Sequence, residues 1–360
     1  MSSAIETLDQ RTSFARFAKC AQIIALLGFL TTSIFCSALI YLTVFKVKRS
    51  FGSYKLLLVL FPAVGILFAT VELILYPNVY SHNAGYVFYT AHHPFDLGKQ
   101  AVTWLLAFYS GVYACTMSML SVQFLYRYWA IFEVKKLRYF KGWRFLICVA
   151  YSVAFGVQWA FGLYYFDEVD EFSKHYMEAA MIQRYGLDFS NISAMTLVAY
   201  NTNGTVRWFN VSCTLNMTSI MLVQYLVIIY CAIWMYIGME EKLRSLSLSM
   251  RNLHKQLFKT LILQIVTPTI SLFSPALFII YLPFLDLKVD LPTGISLCAF
   301  TLYPAMDAII VLYIVGDYEK AAKLMLKKAL EKAYDWLDKM DDESTDRVDS
   351  VCGNAQAAVN

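Results

Sequence analysis

Three ionisable side chains draw attention in this sequence because long apolar runs surround or adjoin them. Glu72 and Asp307 are each the only charged residue of such a run, and Arg127 directly follows a third run. A charged group costs free energy when it is buried away from water, so each of these residues needs a partner or a function. The chemistry open to them is hydrogen bonding between helices, or contact with a ligand or a partner protein. No nucleophile, general base or metal-ligand set accompanies them, and we predict that the chain is not an enzyme.

The chain that carries these residues is too apolar for a soluble protein. Hydrophobic residues make up 59% of it and charged residues 16%, and its mean hydropathy is +0.52. A helix needs about 20 residues to cross a bilayer core of roughly 30 Å, and without water each crossing segment must be helical to satisfy its own backbone. We therefore predict an all-α membrane protein, a bundle of seven spans at residues 20–45, 56–76, 100–126, 145–166, 217–238, 260–285 and 292–315.

The distribution of Lys and Arg predicts the orientation of this bundle. The loops after spans 1, 3 and 5 contain 4, 6 and 5 of these residues, whereas the loops after spans 2, 4 and 6 contain 1, 3 and 1. Because basic loops stay in the cytoplasm, the N-terminus lies outside and the C-terminus inside. The loop at 167–216 independently carries glycosylation sequons, which predicts that it is extracellular. The predicted glycan sites are Asn191, Asn203, Asn210 and Asn216.

The two ends of the chain lie outside the bundle. Residues 1–19 are predicted to form a short extracellular N-terminus. In residues 316–340, apolar side chains share one stripe of a helix and lysines flank it, which predicts an amphipathic helix held on the inner leaflet by apolar burial and anionic lipid. Residues 341–360 are predicted to be a disordered cytoplasmic tail.

Each of the three ionisable residues has two interpretations at this stage. Glu72, about four residues from the outer end of span 2, either reaches the interface or a neighbouring helix, or contacts a ligand or ion. Asp307, about eight residues from the inner end of span 7, either joins an interhelical polar network or is tolerated in a wet cavity. Arg127, at the inner end of span 3, either anchors the helix or contacts a signalling partner.

Span 6 contains two prolines, Pro268 and Pro275, which lie nearly on one face of the helix. Each removes the hydrogen bond to the carbonyl four residues earlier, at Gln264 and Ser271, and so bends the helix. The bends either shape the bundle statically or make span 6 a lever that converts a change near its outer end into displacement of its inner end.

A small-molecule site is expected between the helices in the outer half of the bundle. There, Glu72 and several aromatic residues are candidates to line a dry cavity for a small, weakly polar molecule. For the aromatic residues the alternative is lipid contact or core packing. They are Trp104, Phe108, Trp159, Phe278 and Tyr281. No cofactor, metal ion or nucleic acid is predicted to bind.

Five blocks of the sequence resemble one family. They are GSYKLLLVLF from Gly52, VELIL around Glu72, YRYWAIF from Tyr126, KQLFKTLILQIVTPTISLFSPALFIIYLPF from Lys255 and TLYPAMDAIIVLYIVGDYEKA from Thr301. Together they are similar to the nematode Str-type serpentine chemoreceptors, and the similarity covers spans 1 to 7. It implies a fold like that of G-protein-coupled receptors. The positions that match the family are Glu72 and, with an implied role in activation and G-protein coupling, Arg127, Gln264, Pro268, Pro275, Pro304 and Asp307.

The resemblance implies an odorant-type receptor in the plasma membrane of sensory-neuron cilia. Such a receptor binds a small environmental molecule and signals to a heterotrimeric G protein, as in chemotaxis. A ligand-gated cation channel and a neuromodulator receptor of seven-span architecture stay as alternatives. A transporter is disfavoured, because only span 6 is strongly interrupted in the sequence. Homo-oligomers and hetero-oligomers are both left open.

The sequence departs from rhodopsin-like receptors in three places. The triplet YRY around Arg127 lacks the acid that precedes the arginine in that larger group, and LYPAMD replaces the Asn-Pro motif of span 7. Cys213 has no cysteine partner at the outer end of span 3. The activation mechanism of rhodopsin is therefore not expected to apply to this chain in detail.

Overall fold

The computed structural model describes residues 14–47, 54–244 and 262–336, without positions 329 and 333. Within these residues, seven helices are long and apolar enough to cross a membrane, and the predicted helical bundle is confirmed. We call the ends on the side of the predicted extracellular loops the outer ends. The helices are Ala15–Lys46 (span 1), Tyr54–Leu75 (span 2), Lys99–Phe132 (span 3), Gly142–Phe166 (span 4), Trp208–Gly238 (span 5), Ile262–Leu285 (span 6) and Gly294–Ile314 (span 7).

Three spans are longer than predicted, and in two of them the difference moves functional residues. Span 1 begins at Ala15, so residues 15–19 belong to it and not to the predicted extracellular N-terminus. Span 3 continues to Phe132, because the residues after Arg127 remain mostly apolar, so Arg127 lies inside the helix and does not end it. Span 5 begins at Trp208, and its helix continues to Arg244. The predicted loop at 167–216 is correspondingly shorter, and its last two sequons belong to span 5.

Span 3 lies at the centre of the bundle. In the most apolar stretch of 18 residues of span 3, 83% of the residues are buried, compared with 28% in the corresponding stretches of span 1 and span 4. Spans 3 and 4 approach closely at Gly111 and Gly156, where a Cβ atom on either residue would lie 2.8 Å from the carbonyl oxygen of the other. A side chain at either glycine would therefore separate the two helices.

The outer loops fold into a small antiparallel sheet that the sequence did not predict. Strands β1 (Asn78–His82) and β2 (Gly85–Thr90) form a hairpin between spans 2 and 3. Strands β3 (Ser193–Val198) and β4 (Asp290–Leu291) come from the two later outer loops. Among the described residues the strand order is β3-β2-β1-β4. A helix at Glu171–Tyr185, here called the outer helix, packs against this sheet.

A charged cluster fastens β4 to the rest of the sheet and to the outer helix. The carboxylate of Asp290 accepts hydrogen bonds from Arg184 at 2.6 Å and from Tyr80 at 3.0 Å, and it lies 2.5 Å from Nδ1 of His82. Burial raises the pKa of Asp290, but the hydrogen bonds outweigh burial and hold the pKa below its ordinary value. Phe14, just before span 1, contacts the ring of Tyr80. The sheet and the outer helix therefore form one unit, the outer cap, over the outer ends of the spans.

Spans 6 and 7 are not continuous α-helices. Span 6 contains a π-helical turn at Thr269–Phe273, directly after Pro268 and two residues before Pro275. Span 7 contains a 3₁₀ turn at Ala299–Thr301, an interruption that the sequence analysis did not predict. Both irregular turns lie at membrane depth, where backbone that departs from the α-helix is tolerated only when protein surrounds it.

The chain continues as a helix after span 7, over residues 316–336 where they are described. Tyr318 is buried in this helix, and its hydroxyl lies 3.0 Å from that of Thr43 in span 1, so the helix contacts the bundle. The remainder of the predicted amphipathic helix, the predicted disordered tail and residues 1–13 lie outside the described residues.

Candidate ligand cavity and inner polar network

A cavity of about 70 Å³ lies between the outer cap and span 3. Its roof comes from the sheet, where Val79, Tyr86 and Phe88 share the face that points toward the bundle. Alternate residues of a strand point to opposite faces, which explains why Tyr86 and Phe88 line the cavity together. The walls are built from side chains of spans 3 to 7, among them Tyr109, Tyr113, Trp159, Ala276 and Phe300.

The two tyrosines of span 3 that line the cavity, Tyr109 and Tyr113, donate their hydroxyl protons to groups outside it. Tyr109 donates to Oε2 of Glu72 at 3.0 Å, and Tyr113 donates to the backbone oxygen of Leu272 at 3.0 Å. They lie four residues apart, hence on one face of the helix. Both hydroxyl groups are thus engaged elsewhere, and the two tyrosines contribute their rings to the cavity wall. This lining suits an uncharged, largely apolar molecule.

The roof is tied to the bundle through a buried carboxyl group. Asp167 follows span 4 directly and is fully buried, and its Oδ2 accepts the hydroxyl of Tyr86 at 2.6 Å. Burial raises the pKa of Asp167 to about 8, although hydrogen bonds from Tyr86 and Cys213 oppose this effect. The carboxyl group is therefore mostly neutral at neutral pH, and the roof carries little negative charge.

Only part of the predicted aromatic lining is found at the cavity. Trp159 is buried and lines it. The other four lie on the side of the bundle that faces away from its core, and 40% to 50% of each residue is exposed. They are Trp104, Phe108, Phe278 and Tyr281. These four residues do not line the cavity under the sheet, because the helix faces that carry them point away from the bundle core, and their contact with a ligand stays a prediction. Sequence position had placed them at the right depth but could not choose between the two sides of the helix.

Glu72 is buried but does not line the cavity under the sheet. It borders a separate space of about 70 Å³ between span 1, span 2 and the hairpin, which Gln22, Asn78 and His92 also line. Its connection to the main cavity is the hydrogen bond from Tyr109. A direct ligand contact of Glu72 in the main cavity is therefore not supported. Within the described parts of the chain, no group of three or more His, Cys, Asp or Glu side chains is placed to hold a metal ion.

A polar network crosses the inner half of the bundle. Arg127 of span 3 donates to the hydroxyl of Tyr54 in span 2 at 3.0 Å and to Oε1 of Gln264 in span 6. Gln264 in turn donates to Oδ1 of Asp307 in span 7 at 2.6 Å. The guanidinium group also lies over the rings of Tyr54 and Phe124. Three of the residues predicted to act in activation thus form one chain of hydrogen bonds that joins spans 2, 3, 6 and 7.

The three predicted prolines lie at irregular points of spans 6 and 7. Pro268 and Pro275 flank the π turn of span 6. Pro304 packs against span 2, where a Cβ atom on Gly65 would clash with its ring, and its carbonyl oxygen lies 3.5 Å from the sulfur of Cys36. Their role in activation stays a prediction.

The predicted glycan sites differ in accessibility. Asn191 and Asn203 are exposed on the outer cap. Asn210 is 3% exposed, and its amide nitrogen donates to a backbone carbonyl at the end of span 4. Asn216 lies within span 5 and exchanges hydrogen bonds with Gln158 of span 4. Helix packing thus occupies the amide groups of the last two predicted sites, and glycosylation stays a prediction.

Sequence reasoning missed four tyrosines that hold this site together, namely Tyr54, Tyr86, Tyr109 and Tyr113. The chain contains 25 tyrosines, so residue type alone does not single them out. The spacing of Tyr109 and Tyr113 on the most central span is the one signal that could have indicated a shared, inward-facing function.

The structure is a seven-transmembrane helix bundle with an outer cavity and an inner polar network. The sequence model described as serpentine type 7TM GPCR chemoreceptor Str matches residues 21–323. The chain therefore belongs to the Str family of serpentine G-protein-coupled-receptor-type chemoreceptors, a receptor class and not an enzyme class. The resemblance found in the sequence is confirmed.

Individual relatives agree with this assignment. G-protein coupled receptor str-33 of Caenorhabditis elegans is 32% identical over 304 residues, which cover 83% of this chain and 88% of that protein. Serpentine receptor class r-10 of the same organism is 27% identical over 80% of this chain and 86% of its own length. Squid rhodopsin has the same fold, with a TM-score of 0.59 at 12% identity, over 88% of this chain and 87% of rhodopsin.

Proposed function

We propose that this chain is a chemosensory receptor for a small, uncharged and largely apolar molecule, which binds beneath the outer cap and triggers a heterotrimeric G protein at the inner face. The observation that carries the proposal is the hydrogen bond between Tyr113, which lines the cavity, and the carbonyl oxygen of Leu272 in the π turn of span 6. A ligand that displaces the ring of Tyr113 acts directly on the most irregular turn of that helix.

The path from this turn to the inner face is short. Span 6 continues from the π turn to Gln264, which binds both Arg127 and Asp307. A change in the bend at Pro268 would shift Gln264 relative to span 3 and span 7. Because packed interfaces have discrete arrangements, a small outer displacement is able to release the inner end of span 6. We propose that this release opens the G-protein site.

The remaining assignments follow from the charge pattern and the family resemblance. The receptor is a multi-pass membrane protein, and we propose the plasma membrane of sensory cilia as its location. The N-terminus, the outer cap and its glycans face the environment. The helix after span 7 lies on the inner leaflet.

The cavity is tested with two substitutions at neighbouring positions. Ala276 lines the cavity and is buried, whereas Leu277 faces lipid. Cells that express the chain with a reporter G protein are first screened against volatile molecules to obtain an agonist. Ala276→Phe is then expected to abolish the response or raise the half-maximal concentration at least about tenfold, because it fills the cavity, while Leu277→Phe leaves it unchanged.

Surface labelling and basal nucleotide exchange establish that both variants are folded. Equal responses of the two variants would place the ligand elsewhere. An agonist-evoked current in cells that lack G protein would favour the channel alternative.

A further inference from the structure

A groove of about 600 Å³ opens on the surface of the inner half of the bundle, between spans 3, 4 and 5. Along span 3 it runs from Ser121 to Trp129, roughly 12 Å of helix. Val122 and Cys231 are buried in its floor, whereas Leu226 at its edge is 57% exposed. The groove is therefore open to the surrounding lipid and is separate from the ligand cavity.

The inner mouth of the groove carries positive charge. Trp129 and Tyr139 line this end. The ammonium group of Lys136 lies 5.6 Å from the centre of the Trp129 ring, and the guanidinium group of Arg138 lies 5.1 Å from that of Tyr139. Arg138 also donates to the hydroxyl of Tyr139 at 3.3 Å. Aromatic rings at membrane interfaces with cations on them mark the depth of lipid headgroups.

The electrostatics of Tyr139 agree with this geometry. Its pKa is lowered, first by the hydrogen bond and charge of Arg138 and then by the charges of Arg144 and Lys136. Glu133 pairs with Lys136 at 2.5 Å and offsets part of its charge. Arg138 and Arg144 are the two arginines whose charges act on Tyr139 at the mouth.

We propose that this groove binds one acyl chain of an anionic phospholipid of the inner leaflet, with its phosphate at Arg138 and Arg144. An apolar groove within a bilayer fills with hydrocarbon, and the two arginines favour an anionic headgroup over a zwitterionic one. An uncharged sterol would make no use of these cations.

The bound chain would lie against a point where three helices are already joined. Oε1 of Gln224 in span 5 accepts hydrogen bonds from Ser121 of span 3 at 2.6 Å and from Tyr151 of span 4 at 3.0 Å. Ser121 and Tyr151 both line the groove. The lipid therefore contacts spans 3, 4 and 5 together and stabilises their inner arrangement.

The proposal is tested with photoreactive lipids in nanodiscs that contain the purified full chain. Phosphatidylserine and phosphatidylcholine, each with a diazirine at the end of one acyl chain, are crosslinked, and the labelled residues are mapped by mass spectrometry. We expect label from phosphatidylserine on groove residues such as Leu226, at roughly ten times the yield from phosphatidylcholine. The double variant Arg138→Ala, Arg144→Ala is expected to lose this preference.

Two further variants make the result specific. Lys323→Ala with Lys327→Ala removes two exposed charges from the helix after span 7 and is expected to leave labelling of the groove unchanged. Val227→Trp fills the groove and is expected to remove label from both lipids. Equal labelling by the two lipids, a preference that survives the arginine substitutions, or labelling that survives Val227→Trp would overturn the proposal. Unchanged elution and thermal unfolding show that each variant is folded.

Discussion

Arg127 is held by the hydroxyl group of Tyr54 and the side-chain amide of Gln264. The triplet YRY contains no acid beside the arginine. Its guanidinium group bonds Tyr54 and Gln264, and among the described residues Gln264 is the one that donates to the carboxyl group of Asp307. Because the arginine and the acid are bridged and do not touch, the link between spans 3, 6 and 7 depends on one neutral side chain. Gln264 is therefore the residue at which the inner ends of these spans are most easily separated.

Replacing Gln264 with leucine is expected to raise basal signalling. Leucine is close in size but makes neither hydrogen bond, and each lost bond is worth about 1–3 kcal/mol when its partner stays buried. If span 6 is released by this loss, nucleotide exchange on a co-expressed G protein without agonist should rise about fivefold or more. Ser271→Ala is the matched control, because that hydroxyl bonds only its own helix at Thr267. Basal exchange that is unchanged in Gln264→Leu would mean that the network does not restrain span 6.

The sequons give a second prediction at the level of single residues. Substitution of Asn191 or Asn203 with glutamine should each remove one glycan, visible as a mass loss smaller than the loss that glycosidase causes in the parent, which carries both. Substitution of Asn210 or Asn216 should leave the glycan mass unchanged, because span packing occupies both amide groups. The four single variants and their parent are compared on one gel with and without glycosidase. A mass loss in the Asn216 variant would place the start of span 5 outside the membrane.

Among the elements, the outer sheet depends on a carboxyl group that must stay protonated. The carboxyl group of Asp167 ionises near 3.8 when unfolded but near pH 8 in the folded chain. Between these values the unfolded state binds fewer protons, so the free energy of unfolding falls as pH rises, by about 1.4 kcal/mol per pH unit, and levels off above about pH 8. Asp167→Asn keeps an acceptor for Tyr86 and removes the ionisation.

The variant should therefore show a weaker fall in stability with pH than its parent. Thermal unfolding in detergent, measured from about pH 5 to about pH 8, reports this slope. Asp170→Asn is the control, because the pKa of Asp170 is lowered and its ionisation is complete across this range. A slope in Asp167→Asn that equals that of the parent would show that another group causes the pH dependence.

The elements differ in how far the sequence predicted them. The spans were predicted because an apolar run of membrane length has one stable structure in lipid. Their ends shifted where the helix continues beyond the apolar run, through mostly apolar residues after Arg127 and through charged ones at the start of span 1 and the end of span 5. The sheet was not predicted, because its strands come from three separate loops and β4 is only Asp290–Leu291. Pairing between distant short segments depends on tertiary structure, which local patterns do not contain.

The candidate site was predicted in the same uneven way. Arg127 and Asp307 were found because charged groups in or beside an apolar span need a partner or a function, and Gln264 was found through the family resemblance. The sequence did not separate Trp159, which lines the cavity, from the other four candidate aromatics, since neither side of a helix such as span 3 is distinctly polar, and the pattern does not show which face is inward.

At the scale of the whole molecule, span 6 connects the outer cavity to the inner network, because Ala276 lines the cavity and Gln264 belongs to the network. Its π turn receives the Tyr113 bond, and its inner part carries Gln264. Tyr109 also lines the cavity but bonds Glu72 of span 2. The two tyrosines therefore connect one cavity to two different helices, to span 6 at its π turn and to span 2 at Glu72.

This difference yields a prediction about coupling between the two faces. If ligand increases affinity for the G protein by some factor, the G protein increases affinity for ligand by the same factor, typically about 5- to 150-fold. Tyr113→Phe keeps the ring in the cavity but removes the bond to Leu272. We expect it to bind agonist nearly as well as the parent without G protein, and to lose most of the gain in affinity when nucleotide-free G protein is added. Tyr109→Phe, the matched control, should keep that gain, and the reverse outcome would assign the transmission to Glu72 and span 2.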